Sequence, residues 1–254
     1  RINRLAGDTR EGQRFIKRVI AEMGGKNALI VAEDADLDAA AQGTAVSAYG
    51  YQGQKCSACS RAIVLEGVYK KFLESLADKT SKITIGLAED PDAFFGPLIN
   101  EEARKKVLRY IETGKNEGRL ILQRDVSVLE KEGYFVGPTI FADVPPKATI
   151  AQEEIFGPVL SVIRAKDIDD AIRIANDTDY ALTGGGYSRS KETIERIKRE
   201  FKVGNLYINR KITGSVVNRQ PFGGFKMSGI GSKAGGPDYL LQFMIPRTVT
   251  EKIS

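Results

Sequence analysis

Hydrophobic residues follow two spacings along the chain. Short apolar runs rich in Val, Ile and Leu predict buried strands at residues 28–31, 62–65, 159–163 and 205–208. Apolar residues at helical spacing predict helices at residues 37–49, 68–79, 101–117, 168–176 and 191–201. Alternation of strands and helices favours an α/β fold, with a mostly parallel sheet flanked by helices.

The last forty residues have a different pattern. Gly and Pro recur from Gly214 to Pro237, which predicts loops. The glycines there do not have the spacing of a dinucleotide fingerprint, and the chain has no phosphate-loop motif. Residues 248–253 read as an edge strand, and an unpaired strand edge favours association with a second chain.

Composition narrows the possible classes of protein. The chain has 254 residues, of which 42% are hydrophobic and 28% charged, enough for a sizeable core. Its net charge is +5, but basic and acidic residues alternate along most of the chain, which argues against a nucleic-acid partner. No apolar run is long enough to cross a membrane, the start does not resemble a signal peptide, and there are only two cysteines, so we expect a cytoplasmic protein.

The absence of histidine limits the possible chemistry. With His 0, catalytic Ser-His-Asp and Cys-His arrangements and histidine-containing zinc sites are excluded. The acidic cluster from Asp34 to Asp38 could be a metal loop or a helix cap, and its place before a predicted helix favours the cap. We therefore expect no metal site. The basic runs at residues 104–106 and 198–199 lie among glutamates at helical spacing, which favours solvated faces.

Cys56 is the first candidate for chemistry. It lies in a turn between a predicted helix and a predicted strand, beside Lys55, whose charge would favour the thiolate that a nucleophile requires. The Cys-x-x-Cys spacing to Cys59 also allows a redox dithiol or half of a zinc site. An inert buried thiol is the ordinary alternative, and it is the one we favour for Cys59.

Glu22 is the second candidate. It precedes Gly24 and Gly25 and follows Ile20, so partial desolvation would raise its pKa towards the range useful for a general base. On this segment alone, a surface glutamate paired with Lys26 is the simpler interpretation.

Four segments together resemble the signature blocks of the aldehyde dehydrogenase superfamily, in the right order. The similarity extends from about Glu11 to the C-terminus. Within the superfamily, residues 53–61 and 232–240 are similar to the 1-pyrroline-5-carboxylate dehydrogenase branch, which oxidises glutamate γ-semialdehyde in proline breakdown. The four segments run from Glu22 to Lys26, Gly53 to Cys56, Glu154 to Pro158, and Pro221 to Gly224.

The resemblance assigns roles to individual residues. Cys56 would attack the aldehyde and form a thioester, and Glu22 would activate the water that hydrolyses it. Glu154 would bind the ribose hydroxyls of NAD and Phe156 would contact its nicotinamide ring, although Phe156 alone could equally be a core aromatic. A further group would form the substrate site: Ser57, the amides of Gly235 and Gly236, and Phe243.

The resemblance also predicts how the chain is organised. Family members have a Rossmann-like N-terminal domain that supplies most NAD contacts and an oxyanion-hole asparagine, and we expect this domain to be largely absent. The start without Met is expected to mark a processed product or part of a longer protein. We expect a remnant or linker at 1–21, a catalytic domain at 22–230, and a substrate loop with an oligomerisation tail at 231–254.

Two functions follow from this organisation. The first is an NAD-dependent aldehyde dehydrogenase acting as a homo-oligomer, with the missing half supplied by another polypeptide. The second is a non-catalytic interaction or regulatory fragment that keeps the fold without binding the cofactor.

Overall fold

A computed structural model describes residues 1–253 as eleven strands and seven α-helices. The helices are α1 (Ile2–Gly7), α2 (Leu37–Tyr49), α3 (Tyr69–Ser81), α4 (Glu101–Glu117), α5 (Thr149–Gln152), α6 (Ile168–Asn176) and α7 (Lys191–Glu200). The strands are β1 (Ala21–Glu22), β2 (Asn27–Val31), β3 (Cys59–Leu65), β4 (Arg119–Gln123), β5 (Thr139–Ala142), β6 (Val159–Ala165), β7 (Tyr180–Ala181), β8 (Thr183–Tyr187), β9 (Asn205–Ile208), β10 (Phe225–Lys226) and β11 (Gly229–Ile230).

Seven of the strands form one twisted sheet in the order β4-β5-β6-β3-β2-β8-β9. All neighbouring pairs in it are parallel except β4 with β5. Two small antiparallel ribbons, β1 with β11 and β7 with β10, lie outside this sheet. The mostly parallel α/β architecture expected from the sequence is confirmed.

Alternate residues of the central strands are buried on opposite faces of the sheet. On one face, Leu29 and Val31 join a core that includes residues of α2 and α3. On the other, Ala28 and Ile30 join a core that includes residues of α4, α6 and α7. Because β2 is fully buried on both faces, it reads in sequence as a continuous apolar run.

All four predicted strands and all five predicted helices are present, with small shifts at their ends. Strand β6 extends two residues beyond its predicted end. Helix α3 starts one residue later and ends two residues later than predicted. Of the seven strands of the sheet, the sequence analysis missed β4, β5 and β8. Of these, β8 has three glycines in a row, a composition that disfavours a strand assignment.

The C-terminal tail departs from its prediction. Residues 248–253 form no strand in the described chain, and they are exposed. A strand needs a hydrogen-bonding neighbour, and no strand of this chain pairs with the tail. Pairing with a second copy therefore stays a prediction.

The acidic cluster serves as a set of caps and ion pairs. Asp36 accepts a hydrogen bond from Ala39 N at 3.1 Å and so caps α2. Asp34 accepts from Ser188 Oγ at 2.8 Å and Arg189 N at 2.9 Å, and Asp38 pairs with Lys79 at 2.6 Å. The capping interpretation is confirmed.

Searches of residues 1–253 found neither a group of three or more potential metal-binding side chains nor a helix long and apolar enough to span a membrane.

Candidate active site

The candidate residues meet at the edge of the sheet where the parallel strands begin. The Glu22 segment leads into β2, the Cys56 loop leads into β3, and the Glu154 segment leads into β6. Because these strands are parallel and adjacent, their amino ends share one edge. Open α/β sheets usually bind ligands at the opposite edge, beyond the carboxyl ends of the strands.

Glycines allow these three segments to approach one another closely. A Cβ on Gly25 would lie 2.7 Å from the main-chain oxygen of Cys56, and a Cβ on Gly24 would collide with the Glu154 carboxylate. Gly53 has φ +69°, and a Cβ there would collide with the main-chain oxygen of Gly157. The segments can therefore be this close only because side chains are missing at these positions.

Cys56 and Glu22 face each other. Cys56 is half-buried, and its thiol lies close enough to the Glu22 carboxylate for each group to shift the pKa of the other. Burial raises the pKa of Cys56 to about 11; the charge of Glu22 and the hydrogen bond to it act in the same direction, and a hydrogen bond from Ser57 N opposes them. Cys56 is therefore a neutral thiol at neutral pH, with a base in contact.

The Glu22 carboxyl is partly withdrawn from water, although the residue as a whole is exposed. This burial raises its pKa, the hydrogen bond from Cys56 lowers it, and the charge of Glu154 raises it further. β1 holds Glu22 by pairing with Gly229 of β11. The alternative pairing with Lys26 does not form, since Lys26 is 1% exposed and its Nζ has no hydrogen-bond partner in the described chain.

The prediction that Lys55 favours the Cys56 thiolate is wrong. Lys55 Nζ lies 5.5 Å from the centroid of the Tyr51 ring, and the pKa of Cys56 is raised rather than lowered. Burial and the neighbouring carboxylate outweigh any favourable field from the lysine. The ionisable side chain with the largest effect on the pKa of Cys56 is Glu22.

Cys59 is a buried thiol, as favoured from the sequence. It is 2% exposed, packs in the core on the α2 side of the sheet, and donates to Arg61 O at 3.4 Å. Burial raises its pKa to about 12. Both cysteines are free, and an inert Cys59 does not support a redox dithiol.

Glu154 and Phe156 belong to the third segment at this edge, and Glu154 lies near Cys56 and Glu22. Glu154 has a free carboxylate oxygen, and Phe156 has an exposed aromatic ring. Glu154 Oε1 accepts from Gly25 N at 2.8 Å, whereas Oε2 accepts no hydrogen bond from residues 1–253. Phe156 is 41% exposed and has φ +58°, a conformation that a non-glycine residue adopts only at some cost. The interpretation of Phe156 as a core aromatic is therefore wrong.

Lys106 is a site residue that the sequence analysis missed. It belongs to a basic run on α4 interpreted as a solvated face, yet it is half-buried and its Nζ donates to Glu154 O at 3.1 Å. Of its neighbours, Lys105 is exposed and pairs with Glu101 on the same helix, as predicted, whereas Arg104 is half-buried and pairs with Glu130 outside the helix. Helical spacing alone could not distinguish Lys106, because its partner lies 48 residues away.

The predicted substrate residues divide into two groups. Ser57 is 8% exposed and adjoins Cys56. Gly235 has φ +73° and follows β11, the strand paired with Glu22, but Gly236 N already donates to Lys233 O at 2.9 Å. Phe243 is 57% exposed and packs edge-on against Tyr239 in a groove of about 980 Å³ that does not include Cys56.

The buried guanidinium of Arg61 links three segments of the chain next to the site. Arg61, 1% exposed, donates to Lys26 O at 3.0 and 2.8 Å, to Ile174 O at 3.1 Å and to Ala175 O at 3.0 Å. These bonds join β3 to the turn after Glu22 and to the C-terminal end of α6.

The aldehyde dehydrogenase family model matches residues 5–249. The chain is 51% identical over 251 residues to the 1-pyrroline-5-carboxylate dehydrogenase of Geobacillus sp. (strain WCH70), a match that covers 99% of this chain and 48% of that protein. It is 50% identical, with the same coverage, to the Bacillus subtilis (strain 168) enzyme of that name. The chain thus spans about half the length of these relatives.

Solved structures agree with the sequence comparison. A 1-pyrroline-5-carboxylate dehydrogenase from Thermus with bound NAD superposes with a TM-score of 0.92 at 55% identity, covering 95% of this chain and 46% of that one. Proline utilization A from Bdellovibrio bacteriovorus superposes with a TM-score of 0.95 at 54% identity, covering 98% of this chain and 26% of that one.

Proposed function

The chain belongs to the aldehyde dehydrogenase family, and on that premise we propose that it carries the nucleophile and the base of an enzyme that oxidises L-glutamate γ-semialdehyde to L-glutamate with NAD, a step of proline degradation. The observation that carries the proposal is the approach of the Glu22 segment to the Cys56 loop, with Gly25 against Cys56 O and the Cys56 thiol and Glu22 carboxylate close enough to shift each other's pKa. A fragment that served only for binding would have no physical need for this pair.

In the proposed reaction, Glu22 takes the thiol proton as Cys56 Sγ bonds to the aldehyde carbon. Ser57 N lowers the pKa of Cys56, and in this step it stabilises the developing thiolate. After oxidation the carbon is held as a thioester on Cys56. Glu22, having released the first proton to solvent, takes a proton from water as the water oxygen attacks the thioester, and returns it to Cys56 Sγ as the C–S bond breaks. The raised pKa of Glu22 suits a base that must accept and release protons near neutral pH.

The residues present fit the nicotinamide end of NAD. Glu154 Oε2 is free to accept from ribose hydroxyls, and the exposed ring of Phe156 offers an aromatic surface to a planar ring. Lys106, which holds the main chain of Glu154, keeps that carboxylate in place. When bound, NAD supplies the acceptor for the hydride that leaves the aldehyde carbon.

We assign the substrate carboxylate to Ser57 and the 235–236 loop. Gly235 N makes no hydrogen bond in the described chain, so it is the amide available to an anion, whereas Gly236 N would have to leave Lys233 O. We propose Phe243 as a lining residue that reaches the substrate only after the 239–246 segment moves. The exposed tail at 248–253 is the segment we propose for association with a second copy.

The test is a fusion in which this chain replaces the matched half of the Bacillus subtilis relative. We expect NADH formation with glutamate γ-semialdehyde, at a rate well above that with betaine aldehyde. Cys56→Ala should abolish it, while Cys59→Ala, the matched control, should retain most of it. Equal loss in both variants would favour a dithiol, and a preference for betaine aldehyde would overturn the substrate assignment.

A further inference from the structure

Asn27 is a buried amide in contact with the loop that carries Cys56. It is 3% exposed. Its Nδ2 donates to the main-chain oxygens of Cys56 and Ala58, each at 2.8 Å, and its Oδ1 accepts from Thr183 N at 3.0 Å. Both amide hydrogens and the oxygen are therefore engaged, which fixes the orientation of the side chain.

The carbonyl between these two is also held. Ser57 O accepts from Thr183 Oγ1 at 3.3 Å, so three consecutive carbonyls of the loop accept from Asn27 or Thr183. Asn27 is the first residue of β2 and Thr183 is the first residue of β8, two adjacent strands of the sheet. The loop is thereby fixed to two strands that are buried along their whole length.

The planarity of the peptide bond transmits this anchoring to the thiol. In a trans peptide the C=O and the next N–H point in opposite directions. A hydrogen bond that draws Cys56 O towards Asn27 therefore turns Ser57 N away from Asn27, and Ser57 N lies beside the Cys56 sulfur, whose pKa it lowers. One side-chain amide thus sets the orientation of the N–H group that contacts the sulfur.

We infer that Asn27 is the positioning residue for the nucleophile. By holding the carbonyls of Cys56 and Ala58, Asn27 orients the Cys56 thiol towards Glu22. The inference rests on the proposed roles of Cys56 and Glu22. It adds a residue that touches neither substrate nor cofactor and acts only through the loop.

The experiment is a double-mutant cycle read on the thiol itself, with no substrate or NAD. Alkylation of the 254-residue chain by iodoacetamide is followed against pH, and fragment ions of the peptide spanning residues 56–61 separate Cys56 from Cys59. Glu22→Gln should lower the pKa of Cys56, because it removes a charge and a hydrogen bond that disfavour the thiolate. At pH 8 we expect Glu22→Gln to speed alkylation about tenfold, the effect of a pKa lower by about one.

In the Asn27→Ala background the thiol is no longer held at Glu22, so Glu22→Gln should change the rate less than about twofold. A merely structural role for Asn27 would lower stability but leave the tenfold ratio intact. The matched control is Thr183→Val, which removes the bond to Ser57 O, keeps the N–H to Asn27, and should preserve the ratio.

The outcomes are distinct. An equal effect of Glu22→Gln with and without Asn27 would overturn the positioning role while leaving the thiol and base pair in place. No effect of Glu22→Gln in the otherwise unchanged chain would refute the pair, and the role of Asn27 with it. If circular dichroism shows that Asn27→Ala is unfolded, Asn27→Ser, which keeps one donor, takes its place and should give an intermediate ratio.

Discussion

Replacing Arg61 by Met should destabilise the fold through the carbonyls it leaves behind. Arg61 is the only donor in the described chain to Lys26 O and Ala175 O, whereas Ile174 O keeps a second bond from Asp177 N at 3.3 Å. A buried acceptor left without a donor costs about 1–3 kcal/mol. Two such carbonyls cost twice this amount, and removing the buried cation offsets part of that cost. We therefore expect the free energy of unfolding to fall by about 2–4 kcal/mol.

Urea unfolding followed by circular dichroism measures this loss. The matched control is Arg173→Met on α6, where the guanidinium is 63% exposed and pairs with Asp170, and we expect a change within about 0.5 kcal/mol. A loss below about 1 kcal/mol for Arg61→Met, or one equal to the control, would refute the reasoning that these carbonyls depend on Arg61.

Three further predictions concern the same corner of the fold. Gly25→Ala should lower the free energy of unfolding by about 1–3 kcal/mol, because its Cβ meets the main chain of Cys56. The Cβ of Gly24→Ala meets only the movable end of the Glu154 side chain, so this variant should lose less than about 1 kcal/mol in the same urea titration. Burial lowers the pKa of Lys26 to about 7 from its usual 10.5, so the unfolded chain binds more protons and stability should rise from pH 7 to 9; Lys26→Met should flatten that rise, and an unchanged slope would contradict the assignment. Glu154→Gln in the fusion enzyme should raise KM for NAD about five- to tenfold, since the carboxylate is the stronger acceptor, without altering alkylation of Cys56, and an unaltered KM would count against its contact with the ribose.

Much of the fold could be predicted from the chain, because buried strands and amphipathic helices leave a periodic pattern. Strand β8 was missed because its glycines reflect packing rather than propensity. A Cβ on Gly186 would lie 2.7 Å from Ile197, and one on Gly184 would collide with Phe201, so α7 and the residue that follows it can pack against this strand only where it lacks side chains. Nothing in a single sequence separates such glycines from those of a turn.

The site was predicted in part for a similar reason. Cys56 and Glu22 were found from their own segments and Glu154 from the family resemblance, and the resemblance that joined them to one family is confirmed. Asn27 and Lys106 were missed because their importance lies in partners 29 to 48 residues away. Those contacts depend on the order of strands in the sheet, which local pattern does not encode.

The two side chains that fasten the site, Asn27 and Arg61, bind main-chain oxygens. A carbonyl is the same on every residue, so the residues that supply these oxygens can change their side chains without losing the bond. Positions 174 and 175 are therefore free to exchange one apolar residue for another, as far as Arg61 is concerned. The tolerance is one-sided: as far as these bonds are concerned, the residues that supply the oxygens can be substituted, whereas Asn27 and Arg61 cannot.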